Sequence, residues 1–368
     1  MDLWVVLVIA YLFEFANGWT DAPNSIATVV STKVMRPLTA VGMAAVLNLV
    51  GAFAGEAVAK TVASGIVDPT IVSLDTIGAA VLGATVWALG AQYFGLPSSE
   101  SHALVAGLLG AGYASGGFQG LEWEGTRKAL IGLITSPVGG FFVSLLLMVA
   151  IYWIFWKVKP TLVRRIFGKA QIASAGFMGF SHGLNDAQKT MGIITLAILI
   201  DRAGGDASKV PENFGIEAWV KISAALVMGI GTSVGGWRVI RTMGLRLTKL
   251  EPVHGFAAET GAAAVITGAG ILGIPVSTTH AIGSAIMGVG ATERLSAVRW
   301  GVAGQVVLAW IFTWPSCMIL GYFLEKLFVN IYPPLVLVGV IAVCAAFLWL
   351  GVSRKRREFV DRPVMASA

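Results

Sequence analysis

The sequence predicts an all-α polytopic membrane protein: two inverted five-span repeats with discontinuous helices, plus one extra C-terminal span. Three observations predict it. First, 56% of the 368 residues are apolar and only 12% are charged, about half the roughly 25% of an ordinary soluble domain; mean hydropathy is +0.78. Second, the apolar residues gather into about eleven runs near the roughly 20 residues that a membrane helix requires. Third, the chain repeats itself motif by motif. So little polar surface excludes a disordered chain, a secreted disulfide scaffold and a cytosolic enzyme.

In order, runs near 3–32, 37–62, 71–95, 98–114 and 127–156 form the first repeat. Runs near 171–200, 217–240, 254–273, 276–291 and 298–325 form the second, and 330–351 is the added span. The corresponding boundaries are 1–157, a basic cytoplasmic linker at 158–170, 171–326, 327–353, and a basic cytoplasmic tail at 354–368. Polar residues interrupt the first run at 17–24 and the sixth at 181–190. Helix breaks are expected there, because irregular backbone at membrane depth survives where it lines a cavity.

The net charge is +6, but the cations sit at the ends of apolar runs, so no nucleic-acid partner is expected. Basic residues mark the cytoplasmic side. Lys157, Lys159, Arg164, Arg165 and Lys169 form one cluster; Arg238, Arg241, Arg246 and Lys249 form a second; Arg354 to Arg357 form a third. The acidic or mixed stretches at 122–124 and 201–212 then lie outside, which puts the N-terminus outside and the C-terminus inside a plasma membrane; Lys60 is a minor exception. The start of the chain lacks a basic n-region, so no cleaved signal peptide is expected. Cys317 and Cys344 fall inside apolar runs and give no disulfide framework.

The repeat rests on three paired segments. Gly18-Trp19-Thr20-Asp21-Ala22 matches Gly183-Leu184-Asn185-Asp186-Ala187. Pro97-Ser98-Ser99-Glu100-Ser101-His102 matches Pro275-Val276-Ser277-Thr278-Thr279-His280. A weaker pair joins Gly51 to Gly55 with Gly231 to Gly235. All come in the same order, and an odd number of spans per repeat inverts the second copy. Secondary transporters use this plan, with their site near the midplane where interrupted helices meet. A duplicated bundle held by glycine packing would not need to duplicate Asp and Ser/Thr clusters.

The segments 18–24 and 183–192 resemble the twin signature of the inorganic phosphate transporter (PiT) family, and the Pro-Ser-Ser-Glu-Ser-His and Pro-Val-Ser-Thr-Thr-His segments resemble its second paired motif. The resemblance spans both repeats. It implies cation-coupled phosphate symport by alternating access, a pseudo-two-fold fold with discontinuous helices, and a homodimer in the lipid bilayer. Sulfate, another tetrahedral oxyanion, is the alternative substrate.

The residue chemistry agrees. Ser98, Ser99, Ser101, Ser277, Thr278 and Thr279 are neutral donors able to replace water around an oxyanion. Each cluster follows a proline and precedes an apolar run, the pattern of a helix start, where free N–H groups and the positive dipole end favour an anion. Asp21 and Asp186 are intramembrane carboxylates, costly and usually functional. They repel phosphate, so a bridging cation is needed. By the resemblance, Asp21 with Asn24, and Asp186 with Asn185, are coupling-ion residues, with Na⁺ at Asp21 and Asp186 as the one metal considered.

Two positions break the symmetry: Lys189 stands at the place of Asn24, and Glu100 at the place of Thr278. Lys189 replaces a cation or pairs with phosphate, and Glu100 is a candidate proton carrier among the coupling-ion residues; a mutual Lys189–Glu100 ion pair is the other reading. Na⁺ and H⁺ both stay open as coupling ions, and no cofactor is expected. A phosphatase needs a nucleophile with a base or a metal cluster beside the anion, and the sequence contains no such constellation, so no catalytic residue is assigned. His102 and His280 read as packing histidines, His182 and His254 as weaker candidates still. Glu14, Glu56 and Glu259 lie within spans without assigned roles.

Overall fold

The computed structural model describes residues 1–64, 66–68, 72–204, 209, 214–330, 338, 339 and 342. Most of the expected final span, and all of the basic tail, lie outside the described residues. In chain order the helices are α1 Leu3–Ser31, α2 Pro37–Ala52, α3 Ala57–Ser64, α4 Leu74–Phe94, α5 Glu100–Gly116, α6 Trp123–Phe155, α7 Pro160–Arg202, α8 Ala218–Val234, α9 Trp237–Arg241, α10 Pro252–Ile271, α11 Thr278–Glu293 and α12 Trp300–Asn330. Helices α1, α4, α6 and α12 are each long and apolar enough to cross a membrane. The pair α2–α3, and α8 with the segment Trp237–Arg246 that α9 opens and a π-helical turn completes, pass the same test only together, bent by 73° and 59°. The second bend falls at Gly235 and Gly236, and Gly235 adopts a positive φ that glycine alone tolerates freely.

The expected breaks at 17–24 and 181–190 do not form. Helix α1 runs unbroken from Leu3 to Ser31 through Pro23, and α7 runs unbroken for 43 residues. Thr20, Asp21, Asn24, Asp186, Lys189 and Thr190 of these stretches find partners on other helices, so the backbone can keep its own hydrogen bonds. Proline forfeits one of them, and Gly236 packs on the ring of Pro23 and the Trp19 carbonyl there. The stretch expected as a linker at 158–170 is helical from Pro160 onward, as the first turns of α7.

Besides the two bends, interruptions precede the Ser/Thr clusters. Helix α4 ends at Gly95 (φ +69°), and the turn after α10 contains Gly273 (φ +68°). Pro97 and Pro275 follow, and then Ser99 and Ser277 cap α5 and α11 by accepting from the backbone N–H of His102 (3.2 Å) and His280 (3.1 Å). At 17 and 16 residues, α5 and α11 are about 25 Å long, shorter than the roughly 30 Å hydrocarbon core. The runs at 98–114 and 276–291 are therefore short helices that begin inside the protein.

Helices pack across the two halves. α2 lies on α7 and α8 on α1; α5 lies on α12 and α11 on α6. Glycine permits the first two seams: Gly183 sits against the Asn48 backbone and Gly231 against the Phe15 backbone, where a Cβ has no room. Exposed apolar side chains such as Ile134, Phe142 and Leu146 on α6 suit a lipid-facing surface. Inside, two apolar cores form. One takes Val6 to Phe13 of α1 with Ala187 to Ile200 of α7. The other takes Ile26 to Val29 of α1 with Ala175 and Met178 of α7. The polar middles of α1 and α7 lie between them, buried.

Candidate substrate and coupling-ion site

Four helices supply this buried layer: α1 and α7 through their middles, α5 and α11 through their first turns. Asp21 accepts a hydrogen bond from Thr279 Oγ1 at 2.9 Å. One turn later on α1, Asn24 donates to Thr278 Oγ1 (3.1 Å) and Thr279 Oγ1 (3.0 Å). Thr278 in turn donates to Asp186 Oδ2 at 2.7 Å. The start of α11 thus joins both aspartates through two adjacent hydroxyls.

Lys189 donates to Asp186 Oδ1, to Ser101 Oγ and, at 3.1 Å, to the Val276 carbonyl. Ser101 also donates to that carbonyl at 3.0 Å. The ammonium therefore ties α7 to the starts of both short helices. Lys189 is not the partner of Glu100. Glu100 Oε1 instead accepts from Thr20 (2.7 Å) and Ser98 (3.4 Å). Lys and Asp on α7 are one turn apart, a spacing that brings side chains together, whereas Glu100 lies within reach of α1.

All predicted site residues are buried: Asp21, Asn24, Ser98, Ser99, Glu100, Ser101, Asn185, Asp186, Lys189, Ser277, Thr278 and Thr279. They do not all play one part. Ser99 and Ser277 are occupied as helix caps, while Ser101, Thr278 and Thr279 face the charged groups. Asn185 is buried with its amide beside Gly270 of α10, and neither atom of that amide has a hydrogen-bond partner among the described residues. Asn24 Oδ1 and Glu100 Oε2 are likewise without a hydrogen-bond partner among the described residues. Buried polar atoms are costly to leave so.

Sequence reasoning missed His182. Its Nε2 lies 3.0 Å from Asp186 Oδ2 and 3.9 Å from Asp21 Oδ2, and Nδ1 meets Asn48 Oδ1 at 3.2 Å. One ligand atom from each of Asp21, His182 and Asp186 falls within 4.8 Å of the others, close enough to share one cation. The available signal was spacing: His182 precedes Asp186 by four residues, one helical turn. His102 and His280 pack on each other with ring centroids 4.3 Å apart, and His280 stacks on Trp310. Of the unassigned glutamates, Glu56 pairs with Lys221, Glu259 accepts from Thr28, Ser174 and Gln171, and Glu14 accepts from Thr190.

The family model described as the phosphate transporter family matches residues 17–321, from the middle of α1 through most of α12. The chain belongs to the phosphate transporter family. It is 46% identical over 317 residues to a Rhizobium meliloti protein named "Probable low-affinity inorganic phosphate transporter", covering 86% of this chain and 93% of that one. A Bacillus subtilis protein of the same name is 40% identical over 328 residues, 87% of this chain and 97% of its own length. A solved structure titled "The sodium-dependent phosphate transporter" superposes with a TM-score of 0.83 at 23% identity, over 89% of this chain and 99% of its own. This phosphate transporter family member thus shares the fold of that structure. Its motifs at 18–24, 97–102, 183–192 and 275–280 all lie inside the matched region and converge on the layer described above.

Proposed function

We propose that this multi-pass membrane transporter carries inorganic phosphate by symport with Na⁺ or H⁺, binding the anion between the first turns of α5 and α11 and the cations at the twin aspartates. One observation carries the reading: the capped start of α11 bonds both intramembrane aspartates, and the capped start of α5 joins the same buried layer through Ser101 and Lys189. Helix starts attract an oxyanion, and carboxylates attract the cation that must accompany it.

Ser98, Ser99, Ser101, Ser277, Thr278 and Thr279, with Lys189, form the phosphate-binding set in this proposal. Asp21, Asn24, Asn185, Asp186 and Glu100 form the coupling-ion set. His182 joins the cation residues because it lies between the aspartates. Divalent phosphate beside two carboxylates sums to about four negative charges, too many to bury uncompensated. Lys189 offsets one, and bound cations offset most of the rest. Phosphate can donate a hydrogen bond to a carboxylate whereas sulfate at neutral pH cannot, so carboxylates in the layer favour phosphate.

The architecture in this reading is a pair of inverted repeats, at 1–157 and 171–326, that expose the site alternately to either side. Cross-packing of equivalent helices supports it: α2 on α7 mirrors α8 on α1, and α5 on α12 mirrors α11 on α6. The basic ends of α7 and α9 face the cytoplasm, the amino terminus faces outside, and two copies form the homodimer that the family resemblance implies.

The test is uptake of labelled phosphate by the purified protein in liposomes, with and without a Na⁺ or proton gradient and with sulfate as competitor. Gradient-dependent phosphate uptake, weakly inhibited by sulfate, is expected. Sulfate uptake exceeding phosphate uptake, or uptake indifferent to both gradients, overturns the corresponding part.

A further inference from the structure

Helices α1 and α7 lie antiparallel. Glu14 of α1 meets Thr190 of α7, Asp21 lies near His182, and Thr32 meets Gln171 at 2.8 Å. Glu14 precedes Asp21 by two turns, so the two residues sit about 10.5 Å apart along the helix axis. Glu14 therefore stands between the buried layer and the amino-terminal end of α1.

Its side chain is fully buried. One carboxyl oxygen accepts from Thr190; the other has no hydrogen-bond partner among the described residues. Asn17 lies one turn on along α1, on the same helix face as Glu14, and its Oδ1 is also buried without a hydrogen-bond partner among the described residues. The ionisable groups that act on Glu14 from α7 are Asp186 and His182, and both are engaged with each other. Of the other helices packed on this half of α1, α8 directs Lys221 to Glu56, and α4 directs Asp75 to the Met1 amino group. Lys189 adjoins Thr190 in sequence but turns to Asp186 and Ser101. A buried carboxylate with no cationic partner is costly, while carboxylate, amide and hydroxyl oxygens are the ligands a hard monovalent cation takes.

We propose that Glu14, with Asn17 and Thr190, forms a second cation station, on the amino-terminal side of the aspartate layer, where the coupling ion binds separately from Asp21 and Asp186. The proposal rests on the symport reading above. It assigns Glu14 one monovalent cation per cycle, Na⁺ or H⁺, held by the two oxygens that lack partners and passed along the α1–α7 seam toward Asp21.

The experiment reconstitutes the full-length protein and its Glu14→Gln variant in liposomes of phosphatidylcholine and phosphatidylglycerol. Two arms measure ²²Na⁺ and proton entry per labelled phosphate. The variant is expected to carry one cation fewer per phosphate, in the sodium arm or the proton arm but not both. It should also accumulate at least tenfold less phosphate under the same gradient, yet keep measurable phosphate exchange. Stoichiometry and accumulation equal to the unsubstituted protein in both arms overturn the station.

If Glu14→Gln does not fold, Thr190→Val is the second variant. A three- to tenfold rise in the half-saturating cation concentration, with the half-saturating phosphate concentration unmoved, supports the station; an unmoved cation dependence overturns it. Failure of the unsubstituted protein to take up phosphate overturns the transport reading instead. Glu14 is then judged in detergent, by Na⁺ bound per chain and by the infrared carboxyl band. Loss of one bound Na⁺ or of that band in Glu14→Gln supports the station, and neither loss overturns it.

Discussion

Lys189 donates its ammonium to Asp186 one turn earlier on α7, whereas Asn24, at the matching place on α1, donates to Thr278 and Thr279 and is joined to Asp21 through the Thr279 hydroxyl. One aspartate thus carries a built-in cation and the other a neutral amide. The two also hold equivalent partners, for Lys189 reaches Ser101 as Asn24 reaches Thr279. The repeat keeps the geometry and changes the charge.

Replacing Lys189 by Asn restores the symmetric pattern and removes the fixed cation. Asp186 then keeps Thr278 and His182 as partners but loses its ammonium. The Lys189→Asn variant is expected to carry about one more cation per phosphate, or to need a several-fold higher cation concentration for half-maximal uptake. Co-uptake of ²²Na⁺ and protons with labelled phosphate measures it. Lys189→Met, which leaves an uncompensated buried charge costing about 3–5 kcal/mol, is expected to abolish uptake.

The hydroxyl clusters separate into two kinds of residue, and mutation distinguishes them. Thr279 bonds a carboxylate and an amide at once. Thr279→Val removes a charged hydrogen bond worth about 1.5–3 kcal/mol, so the half-saturating phosphate concentration should rise about ten- to a hundredfold. Ser277→Ala removes a helix cap worth about 1 kcal/mol. It is expected to lower the thermal stability in detergent and to change phosphate affinity less. Equal effects of the two changes on affinity would mean that the cap hydroxyl also touches the anion.

Gly95 and Gly273 hold positive φ at the two turns that precede the short helices. A Cβ at Gly95 meets the Arg238 side chain at 3.3 Å, and one at Gly273 meets the Ala57 carbonyl at 3.2 Å. Either Gly→Ala change forces a strained backbone and is expected to cost about 1 kcal/mol or more. The expected result is a lower unfolding temperature for each variant and weakened phosphate binding, because the displaced turn moves the first residues of α5 or α11.

Composition and paired motifs make the membrane class and the converging residues legible in the sequence, because Asp21, Asp186 and the Ser/Thr clusters are costly in apolar runs. Continuity of the helices was not legible. The polar stretch 17–24 reads as a break in isolation, but its side chains bond to α5 and α11, which are far away in sequence. His182 was missed for a related reason: its partners are Asp21 and Asn48 on other helices as well as Asp186 on its own. Lys189 and Glu100 were identified as the positions that break the repeat, yet their partners depended on which helix faces which. Side-chain reach across antiparallel α1 and α7 decided that, and no local pattern encodes it.

Sidedness is the last prediction, and the fold already ties its markers together. Antiparallel packing puts the start of α7 beside the end of α1, since Thr32 bonds Gln171. The start of α8 lies toward the amino-terminal end of α1, since Tyr11 bonds Ser223 at 2.7 Å. Lys159 and Trp219, both exposed, therefore mark opposite membrane faces. The basic cluster Lys157, Lys159, Arg164, Arg165 and Lys169 assigns the first face to the cytoplasm. With Cys317 and Cys344 replaced by alanine, a single cysteine at position 159 should react with a membrane-impermeant maleimide only in inside-out vesicles. One at position 219 should react only in intact cells. Both reacting from one side would break the antiparallel arrangement itself, while a clean exchange of the two patterns would invert the orientation and leave the fold intact.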